Sequence, residues 1–393
     1  MRRISDDERR ARLATRHHLA PSARLTDVVQ LADDLVGFHA TDPASVFLSA
    51  AARMRNPAKT VAALERALYD ERSLVRTLCM RRTMFVVPLD VVPIVQAACT
   101  DPLVPIERRK LVQLLEEQGV ARDGAQWLRK VEAETLAVIE ARGEATGAEL
   151  SKAVPGLREQ LSFGEGKTWA GTVGVSTRLL FLLSTEQRVV RGRPKGSWTS
   201  SQYRWSPMRA WLPEGIPKLP ADIARAELVR RWLATYGPAT TNDVKWWTGW
   251  SLKLTKEALA SVDAVEVELD GGTGWVVSGD DRPARAPQPW VALLPPLDPA
   301  TMGWQQRGWY LGAHGPLLFD RNGNAGPTVW SDGRIIGGWA QRKSGDVVFE
   351  LLEDVGREVF RAVEQAGADL ERRLGDVRVL SRFPTPLQKR LTS

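Results

Sequence analysis

Gly143-Glu-Ala-Thr146-Gly-Ala-Glu149-Leu150 recurs later in the chain as Gly237-Pro-Ala-Thr240-Thr-Asn-Asp243-Val244. In both copies a stretch rich in Ala, Leu, Arg and Glu runs up to the glycine, a residue that ends helices because it adopts the closing backbone turn without steric cost. A threonine follows, with an acid three places on. That spacing predicts a helix start: the hydroxyl accepts from an orphan backbone N–H, and the acid reaches back to the cap. Each copy therefore reads helix, short turn, helix. Each then passes through a further helical stretch into an alternating hairpin. The first hairpin contains Arg188-Val-Val-Arg-Gly-Arg-Pro-Lys-Gly-Ser-Trp198, and the second spans residues 262–277 with Asp270-Gly-Gly-Thr-Gly as its turn. Helix-turn-helix followed by a β-hairpin is the order of a winged helix.

A third copy lies upstream. A helix over residues 26 to about 38 leads to one opening at Asp42-Pro43, and Asn56-Pro57 opens another; in both dipeptides the Asx is expected as N-cap with proline in the first helical position. Leu74-Val-Arg-Thr-Leu-Cys79 and Thr83-Met-Phe-Val-Val87 then alternate as two strands, with Arg81 and Arg82 between them. From about Pro283 proline and glycine rise. Strands are expected at 290–294, 328–330, 334–341 and 347–352, with a long helix over 354–373. The expected fold is α+β: tandem winged-helix domains at 1–118, 119–218 and 219–282, then a C-terminal β-barrel-like domain at 283–393 with a covering helix.

The 393 residues, 43% apolar and 26% charged, are those of a folded multidomain protein. No continuous apolar run suggests a membrane span, and Met1-Arg2-Arg3-Ile4-Ser5-Asp6-Asp7 lacks the apolar stretch of a signal peptide. Cys79 and Cys99 read as reduced core thiols. Two cysteines and four histidines offer no zinc spacing, so neither metal nor cofactor is expected. A net charge of +7 and a pI near 9.6 point to a polyanionic partner. The distribution says more. Between Gln187 and Arg209 stand Arg188, Arg191, Arg193, Lys195, Arg204 and Arg209 with no acid, interleaved with Trp198, Tyr203 and Trp205. Base beside ring suits phosphate contact and stacking, although such a run also suits a solvated hairpin. Gly164-Glu-Gly-Lys167-Thr168 has Leu161 where a phosphate-binding loop needs glycine, which argues against nucleotide binding. His17-His18, on an Arg-rich N-terminal helix, is expected to face solvent or phosphate.

Several segments together resemble the AlkZ/YcaQ family of winged-helix DNA glycosylases: 74–83, the helix 169–183, Leu294-Pro-Pro-Leu-Asp-Pro299, and Leu318-Phe-Asp-Arg-Asn-Gly-Asn-Ala-Gly-Pro-Thr328 with Gly337-Gly-Trp339 after it. The resemblance implies a monofunctional enzyme that removes alkylated purines from double-stranded DNA, in some members unhooking interstrand crosslinks. It implies a catalytic Gln-x-Gln or Gln-x-Asp, which falls here on His39-Ala40-Thr41. The family's Arg-Gly-Thr-x-His wing reads Arg81-Arg82-Thr83-Met84-Phe85.

A purine alkylated at N7 is already a cationic leaving group. The remaining needs are a water aimed at C1′, an acceptor for its proton and stabilisation of an oxocarbenium-like sugar. His39 is expected to position the water and accept its proton, and Thr41 to give it a second partner. Asp42 adds negative potential or serves only as the cap of its helix. Arg76, Arg81, Arg82, Arg191, Arg193, Lys195 and Trp198 are the expected DNA contacts. The enzyme is expected to be a monomer in the cytoplasm, associated with the nucleoid. The alternative is a winged-helix regulator or damage sensor that has lost catalysis. Base release from N7-alkylated duplex separates the two.

Overall fold

In the computed structural model, residues 1–393 are described except 165, 167–169, 281, 380 and 382–383. The Gly164–Thr168 segment, apart from Gly164 and Gly166, and the expected helix start at Trp169 lie outside the described residues. A short strand, Gly171–Gly174, pairs with Gln160–Phe163 before the helix Val175–Thr185 begins.

Three units share one order of elements. The second has helices Gly124–Arg142, Gly147–Ala153 and Val175–Thr185, then strands Val189–Pro194 and Tyr203–Pro207. The third has Ala221–Tyr236, Thr241–Thr248 and Leu252–Ala260, then Ala264–Leu269 and Gly272–Val277. The first has Val28–Asp34, Pro43–Ala51 and Thr60–Glu65, then Leu74–Leu78 and Met84–Pro88. Both predicted caps form as reciprocal boxes. Thr146 accepts from the Glu149 N–H and Thr240 from the Asp243 N–H, and each acid accepts from its threonine's backbone N–H. Asp42 caps its helix by accepting from Ser45 N–H at 2.8 Å. Asn56 makes no such bond; a 3-10 turn, Pro57–Lys59, opens that segment instead.

In each unit a short extended stretch before the second helix pairs with the second hairpin strand. Phe38–His39 pairs with Val86 and Phe85, Ala145–Thr146 with Trp205 and Arg204, and Ala239 bridges Trp275. The first unit differs in spacing: its glycine, Gly37, stands five positions before the cap, against three for Gly143 and Gly237. Its first helix also stops early, at Asp34, because Val36 and Gly37 turn through positive φ.

His17 does not face solvent or phosphate as expected, because the N-terminal segment packs inward. Arg3–Ile4 adds a parallel strand to Ala264–Leu269. Arg12 is buried on Glu8 and the Asp280 carboxylate, and His17 is buried between Tyr236 and Trp304. The helical stretch Leu89–Glu117 is apolar and long enough by composition to cross a membrane, but half of its apolar window is buried in the protein, and π and 3-10 turns interrupt it.

The C-terminal strands Val291–Leu294, Thr328–Ser331, Arg334–Gln341 and Val347–Leu351 match expectation, but they do not close. The sheet is open, with its first and last strands at the edges, so the barrel-like reading is corrected. Closure is unnecessary because each face is covered. Helix Gly356–Leu374 packs Val363, Leu370 and Leu374 on Val329, Ile336 and Trp339. Helix Pro386–Thr392 sits on the other face at Gly338, where a Cβ would lie 2.4 Å from Leu387.

Candidate active site at the first unit

His39 ends the strand Phe38–His39, and the chain then runs as a loop to the Asp42 cap. The loop's backbone is fixed from both sides. The Ala40 N–H donates to the Met84 carbonyl at 2.7 Å, and Arg76 Nη1 donates to the Ala40 carbonyl at 3.0 Å. Ala40 is buried, and His39 and Thr41 flank it, Thr41 in the bend that leads to the Asp42 cap. Both line a cavity of about 160 Å³ with Asp42, Thr83, Pro296, Leu297, Asn324, Ala325 and Ser381.

His39 is only 6% exposed, and its Nδ1 is buried without a hydrogen-bond partner. Burial, and then the nearby Arg81 charge, push its pKa down to about 3. The imidazole is neutral at pH 7, as expected, but is far weaker as a proton acceptor than a histidine titrating near 6.5. Asp42 is the one carboxylate among the lining residues. Its Oδ2 accepts from the Ser45 N–H and, at 2.7 Å, from the Ser45 hydroxyl.

The far wall comes from the C-terminal domain. Two of the segments that carry the family resemblance cross there: the Leu297 N–H donates to the Ala325 carbonyl at 3.1 Å. Asp320 accepts from the backbone and side chain of Asn324 at 2.8 and 3.0 Å, which holds that amide at the cavity. Behind Leu297, Asp298 forms a fully buried bidentate pair with Arg53 at 2.6 and 2.8 Å and accepts from Ser49 at 2.7 Å. Arg53 and Ser49 lie on and just after the helix that Asp42 caps, so this pair ties the two cavity walls together. Both C-terminal segments stand out in the sequence, but nothing in it gives either a role at the site. Arg53 stands in no recognisable motif.

The expected DNA contacts divide sharply. Arg76 is 1% exposed and lies over Tyr203, so it supports the His39 loop rather than reaching DNA. Trp198 packs on Phe47 with ring centroids 5.2 Å apart and is not a free stacking surface. Arg191 is largely buried over Tyr203 and Trp205. Arg193 is exposed but pairs with Asp70 at 2.7 Å. The acid-free run also meets acids from elsewhere, since Arg204 pairs with Glu144 and Arg209 with Glu140. Lys195 is exposed with no ion-pair partner among the described residues. At the first unit's turn, Arg82 pairs with Glu107, while Arg81 lies over Trp246 beside the cavity.

A wider cleft of about 590 Å³ lies between Arg24, Pro57 and Arg372. It contains no histidine, and its one acid, Asp369, is paired with Arg372, so the smaller cavity is the better seat for proton chemistry. Among the described residues no group of three His, Cys, Asp or Glu is placed to share a metal.

The family model described as DNA glycosylase AlkZ-like matches residues 32–373. The solved structure of Streptomyces sahachiroi DNA glycosylase AlkZ is similar, with a TM-score of 0.71 at 19% identity, over 97% of this chain and 100% of that one. At that identity the likeness speaks for the fold. No curated protein matches the chain.

Proposed function

Because the chain belongs to the AlkZ-like family of DNA glycosylases, we propose that it hydrolyses the N-glycosidic bond of N7-alkylated purines in duplex DNA at the His39 cavity. The observation that carries this reading is the convergence of His39, Thr41 and Asp42 on one cavity, from a loop two residues longer than its counterparts in the sister units. In this reading the three helix–hairpin units are winged helices that hold the duplex, and the protein acts as a monomer on the nucleoid.

The leaving base carries a positive charge, so C1′–N9 cleavage returns the bond pair to the purine and releases it neutral. The sugar is left oxocarbenium-like. Water adds at C1′ and loses one proton. His39 and Thr41 orient that water. With Nδ1 buried, the imidazole nitrogen that accepts from it is Nε2. An imidazole with a pKa near 3 does not hold the released proton well, and Asp42, the one carboxylate among the lining residues, shares that role. The same negative charge stabilises the cationic sugar as it forms.

Incubation with a duplex carrying one N7-methylguanine should release the free base and leave an alkali-labile abasic site. A duplex crosslinked through two N7 positions is the second substrate to try. No release from any N7-alkylated duplex would overturn the assignment in favour of a binding protein.

A further inference from the structure

We propose that Arg81 and Arg307, gathered on the Trp246 ring, form a phosphodiester site beside the His39 cavity and take a backbone phosphate flanking the nucleotide whose base is removed. The inference rests on the DNA-binding reading above.

The Arg81 guanidinium lies 4.0 Å from the Trp246 centroid. That of Arg307 lies 4.8 Å from the same ring and 4.6 Å from Phe319. Other half-buried arginines of this chain have acid partners, as Arg16 with Asp280 and Arg231 with Asp33, while Arg191 lies over rings as these two do. Among the described residues, neither Arg81 nor Arg307 has an acid within ion-pair distance. Arg307 Nε donates to the Trp304 carbonyl at 2.7 Å, and Arg81 Nε is buried with no partner. The acid whose charge reaches Arg307 is Asp243, and its oxygens are engaged elsewhere. Oδ1 accepts from the Gln305 and Gln306 N–H groups, and Oδ2 from the backbone and hydroxyl of Thr240. Burial and the neighbouring Arg307 charge lower the Arg81 pKa to about 10, as two uncompensated cations in a poorly solvated place require.

Backbone geometry fixes the arrangement. Arg81 and Arg82 are both left-handed, at φ 53° and 58°, a sharp turn that sends Arg82 to Glu107 and Arg81 to Trp246. The turn docks on Gly249, where a Cβ would come within 3.2 Å of the Arg81 Cα. Trp246 and Phe319 pack against Leu297, Met302 and Ala325. Leu297 and Ala325 also wall the His39 cavity, so platform and cavity share a partition. Two forked guanidiniums match the two free oxygens of a phosphodiester and its single negative charge, and the flanking rings suit the sugar beside it.

The test reads DNA binding rather than base release. A duplex bearing a stable abasic analogue is made with a neutral methylphosphonate at one backbone position at a time, and affinity is read by anisotropy. Wild type should lose roughly tenfold or more at one flanking position, as expected for a lost charged hydrogen bond. Arg307→Gln should show that loss already and no longer respond to the methylphosphonate there. Arg307→Lys, which keeps the charge, should retain the response. A flat wild-type scan, or a response to the same methylphosphonate left intact in Arg307→Gln, overturns the site. If Arg307→Gln fails to fold, the wild-type scan and Arg307→Lys still decide. Absence of DNA binding at low salt would instead remove the functional reading beneath it.

Discussion

Replacing His39 with glutamine should make the protein less sensitive to acid. The imidazole is buried and neutral, with a pKa near 3, whereas in the unfolded chain it titrates near 6.5. Above pH 6.5 neither state binds the proton, and the full stability is present. As the pH falls from 6.5 toward 3, the unfolded chain takes up a proton that the folded one refuses, and stability is lost through that window. At pH 5 the loss is about 2 kcal/mol, rising by about 1.4 kcal/mol for each further pH unit. Glutamine does not titrate and restores the residue the family places here. Urea unfolding at pH 8 and pH 5 should therefore show wild type losing about 2 kcal/mol more than His39→Gln. His17, which is also buried and held well below its ordinary pKa, is common to both proteins and cancels in the difference. Parallel losses would mean that His39 is solvated or paired in solution, and would refute the buried, neutral imidazole on which the catalytic assignment depends.

Asp42→Asn keeps a good helix cap while removing the charge. It should leave stability nearly unchanged and lower base release by about 10²–10⁴-fold, the usual span for a lost acid–base group; an unaltered single-turnover rate would take Asp42 out of the chemistry. Asp298→Ala leaves the Arg53 guanidinium buried without a counter-charge, which should cost about 3–5 kcal/mol in chemical denaturation. A loss below about 1 kcal/mol would show that the two cavity walls are not held by this pair. In salt-titrated DNA binding, Lys195→Ala should flatten the slope by about one unit, and Arg193→Ala by less, because Asp70 already neutralises Arg193. Equal slopes for Arg193→Ala and Lys195→Ala would argue that the Asp70 pair opens on DNA.

What the sequence determined by itself was mostly local. A cap is a hydrogen bond across three residues, so Thr146–Glu149 and Thr240–Asp243 disclose their helices without knowledge of the rest of the chain. Strand alternation is equally local, which is why the C-terminal strands and long helix were legible to within a few residues. The resemblance pointed to the His39 loop because that signal, too, is a short contiguous stretch. What surrounds each charge was decided only by the tertiary structure. The run from Gln187 to Arg209 has no acid in sequence, yet folding brings Asp70, Glu140 and Glu144 to its arginines. Arg76 and Trp198 sit in stretches that read as wings, yet both turn inward, where Ala40 and Phe47 meet them. The open sheet followed from Leu387 and Leu370 covering opposite faces, a packing fact with no trace in strand periodicity. The cavity itself is of the same kind. Its walls lie far apart in the chain, and they meet because burying Asp298 leaves it one good counter-charge, Arg53, on the segment just after the Asp42 helix.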